Sequence, residues 1–176
     1  TPMIFVSSTC TQNNTSTLLP GTNDVEIIGI QVVTAGALSP FDLTSLDINP
    51  TGTTDFSHDV SNAKIYYTGN SPVFAATTLF GSSTSLPATI TGSVTLNSGT
   101  HYFWVAYDVT SNAYIGDQLD AECTRVTMKG NGGGQVPTLT APAGPRPIHY
   151  FVTINHIGWH WEHSEYVVLR ILLKYF

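Results

Sequence analysis

The sequence predicts an all-β fold, an immunoglobulin-like antiparallel β-sandwich of seven to eight strands followed by an aromatic C-terminal extension. From residue 1 to about 128, short runs of β-branched and aromatic residues alternate with clusters of Gly, Pro, Asn and Asp. No segment of this body keeps a helical apolar period over more than two turns, so we expect very little helix. The 176 residues have the length of one domain.

The strands are predicted between turns that have a local conformational reason. The turn residues 49–52, 69–72 and 97–99 supply a fixed φ, a positive φ or a side chain that hydrogen-bonds to its own backbone. Strands 25–34 and 101–109 are apolar on both faces, which is typical of strands in the middle of a sheet. The eight predicted strands are 3–9, 25–34, 42–48, 62–68, 73–80, 88–96, 101–109 and 118–128.

The composition changes after residue 128, which predicts three regions. Residues 1–128 form the sandwich, and residues 129–147, rich in Gly and Pro, are predicted to be a linker. Residues 148–176 hold four of the six His and two of the three Trp. Because an apolar segment left free is a liability, we expect this tail to pack on its own or on a neighbouring sandwich.

Charge and hydropathy exclude two classes of partner. The chain has 12 acidic and 6 basic residues and a net charge of −6, so it has no excess of Lys and Arg to neutralise the phosphates of a nucleic acid. The longest apolar run is interrupted by Arg170 and Lys174 and is too short to cross a bilayer. We therefore expect no nucleic acid partner and no membrane insertion.

The two cysteines indicate an extracellular protein, whether or not they are bonded. Cys10 and Cys123 both fall in predicted strands, and first and last strands of a sandwich often run side by side. They are either a disulfide that closes a loop of more than one hundred residues or two small buried hydrophobic residues. The low charge and the absence of a catalytic-looking cysteine fit secretion. Since Thr1 is not an initiator methionine, we expect that an upstream signal or domain has been removed.

Short motifs suggest one glycosylation site and one metal site. Asn13 and Asn14 begin two overlapping glycosylation sequons, which matter only in a host that reads them. His156, His160 and His163 could converge on zinc, copper or nickel, although the spacing matches no known enzyme signature. The alternative is that this segment is aromatic, His-rich packing. We expect no cofactor.

The acidic residues are candidate calcium ligands or ordinary turn formers. Asp55 and Asp59 flank His58 in one loop, and Asp108, Asp117 and Asp120 surround the end of strand 101–109. No DxDxDG-type calcium loop occurs. A G-x-S-x-G elbow, a Walker loop and a dinucleotide fingerprint are also missing, so the sequence does not indicate an enzyme.

Four aromatic residues are candidates for stacking on a sugar ring. Tyr66 and Tyr67 are adjacent on one strand, so one faces outward if the other faces the core. Trp104 and Tyr107 lie on opposite faces of strand 101–109. The alternative is that they are the tyrosines and tryptophans commonly found on β-sandwich surfaces.

Several motifs together resemble one known family over about four-fifths of the chain. The domain found N-terminal to BNR-repeat neuraminidases is similar to residues 3–147, through GTNDVEIIGIQV (21–32), SNAKIYYTG (61–69), LNSGTHYFWVAYDV (96–109), LDAEC (119–123) and APAGPR (141–146). The resemblance implies a β-sandwich on secreted or cell-surface bacterial proteins, an accessory module without assigned catalytic residues.

The catalytic features of a sialidase are missing from the sequence. A sialidase should have Asp-box repeats and three arginines that bind the carboxylate of sialic acid. The chain has no Asp box, and its only arginines are Arg125, Arg146 and Arg170. The sequence therefore resembles the accessory part of such a protein.

Two functions follow as hypotheses. The first is a non-catalytic extracellular structural or adhesive module that associates with itself or with neighbouring domains, and that builds filaments by exchanging strand 3–9 or the tail 148–176. The alternative is a carbohydrate-binding accessory domain of a sialidase-like, glycan-degrading protein.

Overall fold

The computed structural model describes residues 1–150, 157–158 and 170–171. Along the chain its elements are β1 (Ile4–Thr11), β2 (Val25–Ala35), β3 (Phe41–Asn49), the one-turn helix α1 (Phe56–Asp59), β4 (Val60–Tyr67), β5 (Leu79–Ser83), β6 (Ala88–Leu96), β7 (Gly99–Val109), β8 (Gln118–Leu119), β9 (Glu122–Lys129), a 3₁₀ turn (Gly130–Gly132), β10 (Gly133–Gln135), β11 (Arg146–Pro147), β12 (Ile157–Gly158) and β13 (Arg170–Ile171). No helix in the described ranges is long and apolar enough to cross a membrane.

Two antiparallel sheets form the body of the protein. One has the order β1-β2-β7-β4-β5 and the other β10-β9-β3-β6. Two-residue pairs join β8 to β11 and β12 to β13. The predicted all-β sandwich is confirmed.

The central position predicted for β2 and β7 is also confirmed. The two strands pair with each other, and β1 and β4 flank them. Ile28 pairs with Val105, and Ile30 pairs with Phe103. These four residues are fully buried because their face of the sheet packs on the second sheet. Across the sandwich the core is completed by aliphatic residues of β3, β6 and β9, which include Leu43, Leu46, Ile48, Ile90, Leu96 and Val126.

Two glycines let β5 and β6 close one side of the sandwich. A Cβ added at Gly92 would collide with the carbonyl oxygen of Phe80, and one added at Gly81 would collide with that of Thr91. The two backbones therefore touch where the sheets meet. A side chain at either position would force them apart.

Replacing Gly92 by alanine is expected to lower the free energy of unfolding by about 1–3 kcal/mol, because the added methyl group overpacks this contact. Urea denaturation followed by circular dichroism would measure the loss. Ser93→Ala is the control, since Ser93 is exposed on the same strand and a surface change there shifts stability by about 0.5 kcal/mol or less. Equal stability of the two variants would contradict the close approach of β5 and β6.

Two predicted strands differ from the structure by more than two residues. The strand predicted at 73–80 begins only at Leu79, because residues 68–78 leave β4 and carry Phe74 over the outer face of the first sheet. The strand predicted at 118–128 is divided into β8 and β9. The backbone N–H and carbonyl of Asp120, between them, hydrogen-bond to the Thr53 side chain instead of to a neighbouring strand.

The linker predicted at 129–147 is packed on the sandwich instead. Its first part forms β10, which extends the second sheet beside β9. Its middle joins β1 of one sheet to β9 of the other: the N–H of Cys10 donates to the Leu139 carbonyl, and the N–H of Cys123 donates to that of Thr140. Its end pairs with β8 as β11. The Gly and Pro residues shape an irregular but hydrogen-bonded segment, so the composition change at residue 128 does not mark the end of the domain.

The predicted tail begins inside the sandwich. Ile148 is fully buried and bridges to Leu18, so it belongs to the core. His149 and Tyr150 follow on the surface. The rest of the tail, apart from β12 and β13, lies outside the described residues.

Candidate functional site

An aromatic cluster covers the outer face of the five-stranded sheet. We define the outer aromatic cluster as Tyr66, Phe74, Tyr102 and Trp104. Phe74 lies edge-on to the rings of Tyr66 and Trp104, with centroid distances of 6.3 and 6.0 Å, and Tyr102 stacks beside Trp104 at 6.5 Å. Trp104 also packs over Gly29, where a Cβ would come within 2.9 Å of the indole ring.

The polar atoms of the two buried rings are already bonded within the protein. Trp104 is 3% exposed, and its Nε1 donates to Thr68 Oγ1 at 2.8 Å. Tyr66 is 7% exposed, and its hydroxyl donates to Asp24 Oδ1 at 2.6 Å. Little surface of Tyr66 and Trp104 is therefore left for stacking on a sugar ring, the role that the sequence suggested for them. Phe74 and the strand neighbours cover their ring faces, so they hold the loop 68–78 against the sheet.

The other two candidate tyrosines occupy different places. Tyr107 has no exposed surface, and its hydroxyl donates to the Asp120 carbonyl at 3.0 Å. Burial raises the pKa of Tyr107, and the ring offers no face to a ligand. Tyr67 is half-buried at the end of β4, where its ring packs on Phe103 and its hydroxyl bonds to His101 Nδ1 at 2.8 Å. It lines a shallow cleft of about 420 Å³ whose other walls are Thr68, Gly69, Ser71, Val73, Ala75, Thr77 and Thr78.

Beside the outer aromatic cluster, Lys64 forms ion pairs with two aspartates. Lys64 Nζ lies 2.7 Å from Asp24 Oδ1 and 2.8 Å from Asp108 Oδ2. Hydrogen bonds from Lys64 and Tyr66 hold the pKa of Asp24 below its usual value. Burial opposes the charge on Lys64, but its bonds to Asp108 and Asp24 outweigh that effect and raise the pKa of Lys64. Sequence reasoning missed Lys64, although the two-residue period places it on the same face as Tyr66.

The aspartates that the sequence grouped together lie apart. Asp108 faces Lys64, whereas Asp120 is buried beside Gly52, where it accepts from the N–H of Ala121. Asp117 is instead near enough to Asp59 for that carboxyl to affect its pKa. No group of three or more His, Cys, Asp or Glu side chains suited to a metal ion occurs among the described residues.

Asp59 is the most deeply buried carboxylate of this loop region. Its Oδ1 accepts from the N–H of Tyr114 at 2.9 Å and lies 3.0 Å from His58 Nδ1. The His58 ring stacks on Tyr114, and Asp55 caps the single turn of α1. The buried Asp59 Oδ2 has no hydrogen-bond donor in the described part of the chain. Partial burial and the neighbouring Asp59 carboxyl raise the pKa of Asp117.

Replacing Asp117 by asparagine is expected to raise the melting temperature at pH 7. Because the folded-state pKa of Asp117 is raised, its contribution to stability is present at acid pH and is lost as the pH rises through that pKa. Asparagine removes the charge beside Asp59, and its amide can donate to Asp59 Oδ2. The gain should vanish at about pH 3, where Asp117 is itself neutral.

Thermal unfolding at both pH values would measure this effect. Asp47→Asn, which removes one negative charge from strand β3, is the matched control. A rise of the same size in both variants would mean that net charge alone, and not the contact with Asp59, is responsible.

The remaining predicted site residues are placed as follows. The cysteines come together: Cys10 on β1 and Cys123 on β9 are buried free thiols on the inner faces of opposite sheets. Asn13 is exposed, and Asn14 Oδ1 accepts from the backbone N–H and hydroxyl of Ser16. His156, His160 and His163, the candidate metal ligands, lie outside the described residues.

Arg146 is an anchor that sequence reasoning missed. It is buried, and its guanidinium donates to the carbonyls of Ser16 and Glu26 at 3.0 and 2.6 Å and to Ser16 Oγ at 2.9 Å. All three acceptors lie more than one hundred residues earlier in the chain. No local sequence signal points to such a contact.

The fold and these structural bonds define the class of the protein as a β-sandwich module. The family model described as the N-terminal domain of BNR-repeat neuraminidase matches residues 8–132. The chain belongs to this family, which confirms the resemblance indicated by its motifs. It is therefore related to the accessory domain of neuraminidases and not to their catalytic domain.

A solved structure gives the same fold. The protein titled Hadza microbial sialidase Hz136 is similar with a TM-score of 0.54 and 15% sequence identity. The match covers 82% of this chain but only 32% of that one, so the present chain spans about a third of the larger protein. At this identity the similarity concerns the fold. No curated protein matches the chain.

Proposed function

We propose that the chain is a secreted, non-catalytic structural module of a sialidase-like protein, which works through the surfaces it presents to neighbouring domains. One observation carries the proposal: Lys64 and Arg146, the lysine and the arginine that are partly or fully buried within residues 1–150, are bonded within the fold. Lys64 forms ion pairs with Asp24 and Asp108, and Arg146 binds backbone carbonyls. A catalytic acid or a carboxylate-binding arginine would have to face a substrate instead.

Release of a fluorogenic aglycone from a sialoside tests the absence of catalysis. The full chain is expected to release no more fluorophore than buffer alone, while a catalytic sialidase in a parallel reaction releases it readily. Release that rises in proportion to the concentration of the chain would overturn the proposal.

For the adhesive role, we propose docking on neighbouring domains rather than exchange of β1 between subunits. β1 is paired with β2 on one side, and on the other Ser8 and Cys10 bond to Thr138 and Leu139. Exchange would have to break both sets of hydrogen bonds. Light scattering is expected to give the same monomeric mass for the full chain and for residues 1–150, whereas filaments formed by either one would contradict this mode of association.

A carbohydrate-binding role is the second candidate, and the cleft beside Tyr67 favours it. Tyr67 is half-buried and lines this cleft beside several hydroxyl groups, a combination of apolar and polar surface that suits a sugar. On a panel of immobilised glycans, Tyr67→Ala should lose binding and Tyr67→Phe should keep it, because the ring remains. An absence of binding by the unaltered chain, or equal binding by Tyr67→Ala, would remove this candidate.

A further inference from the structure

The two cysteines meet in the interior of the sandwich. Cys10 pairs with Ile30 across β1 and β2, and Cys123 pairs with Ile48 across β9 and β3. Both partners belong to the core, so each cysteine points inward from a different sheet. Cys10 is 1% exposed and Cys123 has no exposed surface.

The backbone also holds the two facing cysteines close to each other. Cys10 donates its N–H to Leu139, and Cys123 donates its N–H to Thr140, so consecutive residues of one segment hold the two strands. Hydrogen bonding to the Cys10 thiol, together with burial, raises the pKa of Cys123, in agreement with this approach. A disulfide requires such an approach, with the Cα atoms within about 7 Å.

We propose that Cys10 and Cys123 form an intersheet disulfide when the protein folds in an oxidising compartment. Each thiol gives up one proton and one electron, and the two sulfurs join. The electrons pass to a disulfide oxidant such as oxidised glutathione, which is reduced to two thiols through a mixed disulfide with one cysteine.

Burial determines when this bond can form. The reacting species is the thiolate, and in the folded protein neither sulfur is open to an oxidant. Oxidation must therefore accompany folding. Once formed, the bond is shielded from reductants by the same core.

Refolding of the full chain with a mixture of oxidised and reduced glutathione tests the proposal. After denaturation and alkylation, mass spectrometry should find no alkylated cysteine and a monomeric chain. The reduced, folded chain exposed to the same mixture without denaturant should keep both thiols. Two alkylated cysteines after oxidative refolding, or a disulfide between two chains, would overturn the proposal.

The stability of the oxidised and reduced chains gives a second readout. The oxidised chain is expected to melt about 10 °C or more above the chain reduced under denaturing conditions, because the bond closes a loop of over one hundred residues. The double variant Cys10→Ala, Cys123→Ala should melt at one temperature in both conditions. If the unaltered chain also melts at one temperature in both, the bond does not form.

Discussion

Replacing Phe103 by alanine is expected to lower the free energy of unfolding by about 3–5 kcal/mol. Phe103 is fully buried on β7, between β2 and β4. Its ring centroid lies 4.8 Å from that of Tyr67 and 5.5 Å from that of Phe80. Alanine would leave a cavity in the core, because β4 and β5 hold these two neighbours in place.

Urea denaturation of the unaltered chain and the variant measures this loss through the shift in midpoint at constant slope. Phe103→Leu is the graded control, since it keeps most of the apolar volume and should lose clearly less than alanine. A loss below about 1 kcal/mol for Phe103→Ala would mean that the neighbouring side chains move in to fill the cavity. That result would contradict a well-packed core around Phe103.

Replacing Arg146 by methionine should destabilise the protein by about 2–4 kcal/mol. The apolar side chain fills similar space but leaves the carbonyls of Ser16 and Glu26 without their donor. Arg146→Lys should also be destabilising, because one ammonium group cannot reproduce the fork of the guanidinium.

Arg125→Met is the matched control for the loss of an arginine. Arg125 is exposed on β9, so its replacement should change stability by about 0.5 kcal/mol or less. If the two methionine variants unfold at the same urea concentration, Arg146 does not anchor residues 146–148 to the sandwich.

The parts of the fold that sequence could predict depend on local pattern. Alternation in β2 and β7 shows apolar residues on both faces, and only a central strand in a two-layer fold buries both. The turn at 49–52 is defined by its own residues, as the positive φ of Gly52 illustrates. Such signals need no knowledge of distant contacts.

Sequence could not predict where the sandwich ends. A Gly- and Pro-rich segment has the same composition whether it is a flexible linker or an irregular stretch packed on a domain. The bonds from Arg146 to Ser16 and from Thr138 to Ser8 join residues 130 positions apart, and only tertiary structure reveals them.

The candidate site was predictable only in part for the same reason. The two-residue period placed Trp104 and Tyr107 on opposite faces of one strand, and Tyr66 and Tyr67 on opposite faces of another. It did not say which face was outward, and it could not show that Phe74 covers Tyr66 and Trp104. The proximity of Cys10 and Cys123 was inferred from the positions of first and last strands. The contact between Asp117 and Asp59 had no sequence signal.

Native-state hydrogen exchange tests most directly whether the sandwich extends to Ile148. The amides of Cys10, Leu18 and Cys123 donate to carbonyls within the segment 139–147, and that of Ile148 donates to Asp117. These amides are expected to exchange as slowly as those of β2 and β7, through global unfolding alone. Rapid exchange at all four, with β2 and β7 still protected, would show that the sandwich closes without this segment and would contradict the account.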